Sequence, residues 1–498
     1  MSGKFGLIAV LVLAACSSSP RGPKPDDGTG GDGVDEPTGG KTGVGTTGGK
    51  SGGNPGGGSG GSATGGATGG SEGSTGGAGG GSATGGSSGT GGAMTGTGGA
   101  TAAGYNFGAH PQQYPAGSIK PAGTQAELDA AVKAAYDKWK AAYVTKGCGG
   151  YIVKGAANRT SSAALGHGAI VTAIMAGHDP EAQAIFDGIH AVARKYPSVL
   201  SKSVPAKHGI GVRPGNQYLL ANELNLAGSG EAITCAMPAE DDAAPDGDIA
   251  FAFALTLADK QWGSAGTINY LEQAKLTAKA IKDFDMNPRK LPGLGDWASL
   301  PGEGMWTTVA TPPNYAVGHF RAFGKASGDA YWTDAVTATQ ESIARVQTMF
   351  SPMTGLFPQV LVGSQSLSGG TFLTEQNANA HFGDASMLPL WLAADYIATG
   401  DAKSKAALTK INDWLKTKTG GDAAKIVDGY RLNGDAIGTK GTMAYVAPFA
   451  SIAIFDAGNQ AWLDGAWKLM AAASGAGQGA DTANLLGMLI ASGNWWQP

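Results

Sequence analysis

Cysteine is nearly absent from this chain: Cys16, Cys148 and Cys235 are the three in 498 residues. No zinc-ligand spacing can be read from so few, and neither a phosphate-binding loop nor a nucleophile elbow occurs, so no cofactor and no metal is called for. Charge is sparse as well, at 15% of residues with a formal net charge of −4. No basic stripe is present, which leaves nucleic-acid binding without electrostatic support. Long hydrophobic runs are missing. The apolar stretch Phe5 to Leu13 falls well short of the roughly 20 residues a bilayer-spanning helix needs. From Ser17 to about Ala103 even single large apolar residues are scarce, and Gly, Ser, Thr and Ala dominate. Such a segment cannot bury enough surface to offset its ordering entropy and is expected to be disordered. As a Gly/Ser coil it has a root-mean-square span of roughly 50 Å, which suits a spacer.

What is present at the start is Lys4, the short apolar run, and small residues ahead of Cys16. That order reads as a cleavable export signal. Leu13-Ala14-Ala15-Cys16 is similar to a bacterial lipobox, which implies that Cys16 becomes a lipidated N-terminus, with an ordinary secretory signal as the alternative. The expected organisation is therefore a lipoprotein signal over residues 1–16, a Gly-rich linker over 17–103 and one large domain over 104–498. A lipid anchor would make the protein membrane-anchored rather than spanning. Ser17 after the cysteine resembles an outer-membrane sorting signal. In an oxidising compartment Cys148 and Cys235 can pair, or remain as buried thiols; sequence leaves both open.

The large domain reads as all-α. Leu128, Val132, Ala135, Trp139 and Tyr143 fall at helical spacing, as do Ile268, Leu271, Ala274, Ala278 and Ile281. Further helices are expected near 162–177, 180–195, 248–262, 329–349, 386–398, 401–417, 440–456, 459–473 and 479–492. Asp248–Trp262 is apolar nearly all round, which implies an inner layer of helices covered by an outer one.

Several stretches, in order, resemble the family 8 glycoside hydrolases. They include Gly149-Gly150-Tyr151-Ile152-Val153-Lys154, Met175–Ile189, Pro245–Gly263 with its closing Lys-Gln-Trp-Gly, Gly295-Asp296-Trp297, His319-Phe320-Arg321-Ala322-Phe323, Thr354-Gly355-Leu356 and Ser492-Gly493-Asn494-Trp495-Trp496. The resemblance implies an (α/α)6 barrel that acts on a polysaccharide, a β-1,4-linked glycan such as glucan, chitosan or xylan. Inverting hydrolysis needs one carboxyl to protonate the leaving oxygen and another to activate water on the opposite face of the sugar. By the resemblance, Asp384 corresponds to the base and Asp246 to a carboxylate that contacts the sugar. For Asp246 a helix N-cap is the plainer reading, and for Asp384 a solvated loop carboxylate.

The family's acid Glu, in a Ser-Glu-x-x-Gly-Tyr-Gly stretch, corresponds here to Ala163 in Ser162-Ala163-Ala164-Leu165-Gly166-His167-Gly168. A methyl group donates no proton. Other departures include Met387 and Thr311 where arginines are expected and Gln359 where an aspartate is expected. Candidate replacement acids are Glu303, Glu375, Asp246 in a changed role and His167. Trp297, Trp306, Tyr315 and Trp391 match cleft-lining segments and offer flat faces to pyranose rings, whereas Trp139, Trp262 and Trp414 suit core packing. The acidic run Glu240-Asp241-Asp242 lacks EF-hand spacing and reads as a solvated loop. Two functions follow from this pattern: a surface glycanase with a rearranged acid, or a glycan-binding lipoprotein on a disarmed scaffold.

Overall fold

The computed structural model describes residues 105–498 except 239–240 and 374. The export signal, Cys16 and the 17–103 linker lie outside the described residues. Among the described residues no helix is long and apolar enough to cross a membrane.

Twelve helices form the described domain: α1 (Gln125–Tyr143), α2 (Ser162–Ile174), α3 (Ala182–Lys195), α4 (Pro245–Trp262), α5 (Tyr270–Ala280), α6 (Val317–Ser327), α7 (Tyr331–Met349), α8 (Leu388–Thr399), α9 (Ala402–Thr419), α10 (Met443–Ser451), α11 (Gln460–Ala472) and α12 (Gln478–Ala491). The even-numbered helices each pack on the next, α2 on α4, then α6, α8, α10 and α12, and α12 returns to α2. The odd-numbered helices cover them from outside. This closed double ring is the (α/α)6 barrel.

Composition sorts the helices between the two rings. In α2 twelve of thirteen residues are buried, as expected for a helix enclosed on all sides. The outer α3 instead buries one stripe, Ile185, Phe186, Ile189, Val192 and Ala193. Local signals set the ends. Thr124 caps α1 in a capping box with Glu127, and Asp401 accepts from the backbone N–H groups of Lys403 and Ser404 at the start of α9. Helix α6 escapes the periodicity reading because it is short and interrupted by Gly318 and Gly324. The connections carry nine short strands, paired as three two-stranded ribbons and the sheet β3-β4-β5 (Arg159–Ser161, Glu223–Ala227, Thr234–Ala236).

Cys148 and Cys235 form a disulfide, Cα to Cα 5.1 Å, across a sequence separation of 87. It links the turn between β1 (Val144–Gly147) and β2 (Gly150–Val153) to β5.

Two glycines let the α2 and α4 backbones touch. A Cβ at Gly166 would lie 2.6 Å from the Gly247 carbonyl oxygen, and one at Gly247 would lie 2.3 Å from the Ser162 side chain. This close approach sets Ala163, in the first turn of α2, beside Asp246, in the first turn of α4. Gly247→Ala is expected to destabilise the domain by about 1–3 kcal/mol or more, because neither backbone can retreat without disturbing both neighbours in the ring. An unchanged denaturation midpoint would show that the contact is not tight.

Candidate active site

The N-terminal ends of five inner-ring segments converge on one cavity. Its walls include Ala163 and His167 from α2, Asp246 from α4, His319 from α6, Asp384, Met387 and Trp391 from the α8 approach, and Gln478 and Thr482 from α12. Most of the remaining lining is alanine, isoleucine and proline, and no lysine or arginine is among the lining residues.

Asp246 is not a helix cap: Ala244 occupies that position, and the Asp246 carboxylate accepts from the next residue's own N–H, Gly247, at 2.8 Å. Burial raises its pKa. Asp384 sits in a short turn, Gly383–Met387, entered through Gly383 at positive φ. The Gly383 N–H donates to the Tyr445 hydroxyl at 2.7 Å, which fixes that turn. Asp384 is half-buried in the cavity wall rather than standing on an open loop. Burial first, then the charges of Asp246 and Glu375, push its carboxyl up to about 8. Without the arginine that the resemblance leads one to expect, nothing cationic in the wall opposes that shift.

The imidazoles move the other way. Burial holds His167 at about 4, and burial with the neighbouring His167 holds His319 at about 3. Both are neutral near pH 7. They bracket Trp391, whose ring centroid lies 5.4 Å from His167 and 5.0 Å from His319. His319 stacks on Phe253 at 3.9 Å, and Phe253 lies nearly parallel to Trp495. Aromatic rings thus form a column beneath the cavity floor. His319 belongs to a segment quoted for its resemblance, but no spacing rule marks it as a wall residue.

The other expected residues lie elsewhere. Trp297 is 4% exposed and packs with Leu200, Ala298 and Leu300. Half-buried Trp306 lies against Trp297 and Phe372. Tyr315 is fully buried, with its hydroxyl bonded to Ser342 at 2.9 Å, so it belongs to the core rather than to the cavity wall. Of the four expected aromatic residues, Trp391 is the one in the described lining. Glu303 is engaged with His208 at 3.5 Å and Lys207 at 3.7 Å, outside that lining. Glu375 is raised by burial, and its charge reaches Asp384. Thr311 donates its hydroxyl to the Gly293 carbonyl, and Gln359 donates to the Gln376 carbonyl; both brace loops. Asp241 and Asp242 are buried rather than solvated, and Asp241 accepts the Glu223 N–H. Among the described residues no group of three or more His, Cys, Asp or Glu is arranged to hold a metal ion.

No family model matches the sequence. Individual proteins do. A β-glucanase of Niallia circulans is 36% identical over 390 residues, covering 77% of this chain and 89% of that protein. An endoglucanase of Bacillus sp. strain KSM-330 is 32% identical over 390 residues, covering 75% and 78%. The apo structure of a β-1,3-1,4-glucanase from Paenibacillus sp. X4 superposes with a TM-score of 0.70 at 34% identity, covering 79% of this chain and 99% of that one. A cold-adapted family 8 xylanase shares the fold, with a TM-score of 0.60 at 18% identity, covering 77% and 97%.

Proposed function

Because the chain belongs to the family 8 glycoside hydrolases, we propose that its cavity binds a β-1,4-linked glycan and that hydrolysis there is disarmed by Ala163. The observation that carries this reading is the composition of the wall. Asp246 and Asp384 face one cavity with Trp391, while the place expected of the proton donor holds a methyl group. Losing a general acid costs about 10²–10⁴ in rate, and a poor alkoxide leaving group falls at the severe end. Asp384 adds a second handicap, because a carboxyl pushed up to about 8 is mostly protonated at neutral pH, and only its ionised minority can accept a proton from water. The competing reading keeps turnover, with Glu375 as a relocated acid. It draws on that residue's raised pKa and its proximity to Asp384.

The glucanase and endoglucanase relatives make mixed-linkage and β-1,4-glucans the first polymers to try, with xylan and chitosan beside them. Location belongs to the same proposal: an exported protein held to a membrane, the outer one by the Ser17 signal, through lipidated Cys16, with residues 17–103 as spacer. The leading MSGKFGLIAVLVLAAC segment supports it.

The test measures polymer binding and reducing-end release together, for the wild type, Asp384→Asn and Glu375→Gln. Binding is expected, with no release above background in any of the three. Release that disappears in Glu375→Gln would replace this reading with a working enzyme. Absence of binding to every polymer would end both.

A further inference from the structure

Two residues after Asp246, the first turn of α4 carries a carboxyl that faces away from the cavity. Asp248 is 0% exposed, and it meets side chain to side chain with Asp285, 1% exposed, from the turn that ends α5 (281–285). One Asp248 oxygen accepts the Leu220 N–H at 2.8 Å. Its other oxygen, and both oxygens of Asp285, have no donor in the protein.

The surrounding charges do not fill the gap. Asp296 is satisfied by Ser198 and Asn216, each at 2.5 Å, and by the Ala243 N–H at 2.9 Å. Its charge and that of Asp246 only add to the repulsion. Two guanidinium groups act on the pair at a distance, and neither donates to its free oxygens. Arg194 donates to Gln273, Thr277 and the Tyr218 carbonyl. Arg213 donates to the Asp296 carbonyl and Ser299, and it also feels Asp283. Two touching carboxylates with no cation between them cannot both be ionised.

We propose that Asp248 and Asp285 share one proton, and that this acid pair is a positioning device that clamps the first turn of α4, and with it Asp246, to the end of α5. The proton bridges the free Asp248 oxygen and one of the two Asp285 oxygens. Its importance for sugar binding rests on the reading of Asp246 given above, but its existence does not.

The test follows denaturant unfolding of the full chain from pH 5 to 9, with hydrogen exchange across the first turn of α4. A buried carboxyl with a raised folded pKa contributes stability that is complete below its unfolded value of about 4 and is lost as pH climbs toward the folded value. Burial raises both members; the Asp248 charge and hydrogen bond push Asp285 further up, whereas the hydrogen bond from Asp285 pulls Asp248 down. Asp285→Asn replaces the shared proton with a permanent amide donor. Its folding constant relative to wild type is therefore expected to rise about tenfold per pH unit within that window. Exchange in the first turn of α4 should stay protected in Asp285→Asn and accelerate in Asp285→Ala. If the alanine variant does not fold, Asp248→Asn reports the same slope. A pH-independent ratio would overturn the shared proton, and a wild-type midpoint that responds to calcium or EDTA would replace it with a metal ion. Neither readout depends on a polysaccharide, so this inference and the glycan reading fail separately.

Discussion

On the proposed glycan-binding reading, Ala163→Glu is expected to raise reducing-end release by about 10²–10⁴-fold, the usual worth of a positioned general acid. Position 163 lies in the first turn of α2, in the wall that also carries Asp246 and Asp384, where the Gly166–Gly247 contact holds the two helices together. A carboxyl introduced there is pulled two ways. The helix N-terminus favours its charged form, while burial beside the Asp246 carboxylate favours the protonated one. In a cavity with no cationic wall the second effect dominates, and the group keeps the proton that a leaving oxygen needs. The pH profile should carry Asp384's mark: release rises toward pH 8 as that carboxyl ionises, then falls as the introduced acid loses its proton. Adding Asp384→Asn to the same variant should return release to background. If Ala163→Glu binds polymer and stays inactive, the missing acid is not what disarms the cavity, and Met387 in the same wall becomes the residue to restore.

Removing the Cys148–Cys235 bond, by reductant or by Cys148→Ser, is expected to cost about 2–4 kcal/mol. The loop it closes is long, at a sequence separation of 87, and the chain-entropy account places long loops at the upper end of that range. The fold should persist, since a domain of this size buries a large core. Loss should concentrate near the cavity, because β5 pairs with β4, β4 with β3, and β3 runs directly into α2. Equal denaturation midpoints with and without reductant would show that the sheet holds itself.

Much of the architecture was legible because inner-ring helices have an uncommon composition. A helix such as α4, apolar on every side, has nowhere to sit except between other helices. Helix α6 was not legible: it is short, carries two glycines, and owes its helicity to the ring around it. At the site, resemblance picked out Asp246, Asp384 and Trp391, which the structure gathers in one cavity. It also picked out Trp297 and Tyr315, which are buried in packing. An indole at a loop reads the same whether it faces sugar or leucine; only the neighbours decide. Asp241 and Asp242 misled for a related reason. An acidic run reads as solvated, yet backbone N–H groups in a connection can satisfy such carboxylates inside. The cysteine pairing had to await the fold, because two positions 87 residues apart say nothing of distance.

The seam between α2 and α12 bears on how the molecule is made. A ribosome delivers α12 after every other helix of the ring, so until then the inner helices form an open arc with two apolar edges, α2 and α10. The covering of each edge is the other face of α12. Formation of the native barrel therefore ends in one late closing step, which joins parts of the chain some 300 residues apart. An arc that waits with both edges bare can accept the last helix of a second copy as readily as its own. Exchange of α12 between two chains is the assembly error to look for at high concentration, and a dimer that dissolves only on unfolding would be its signature.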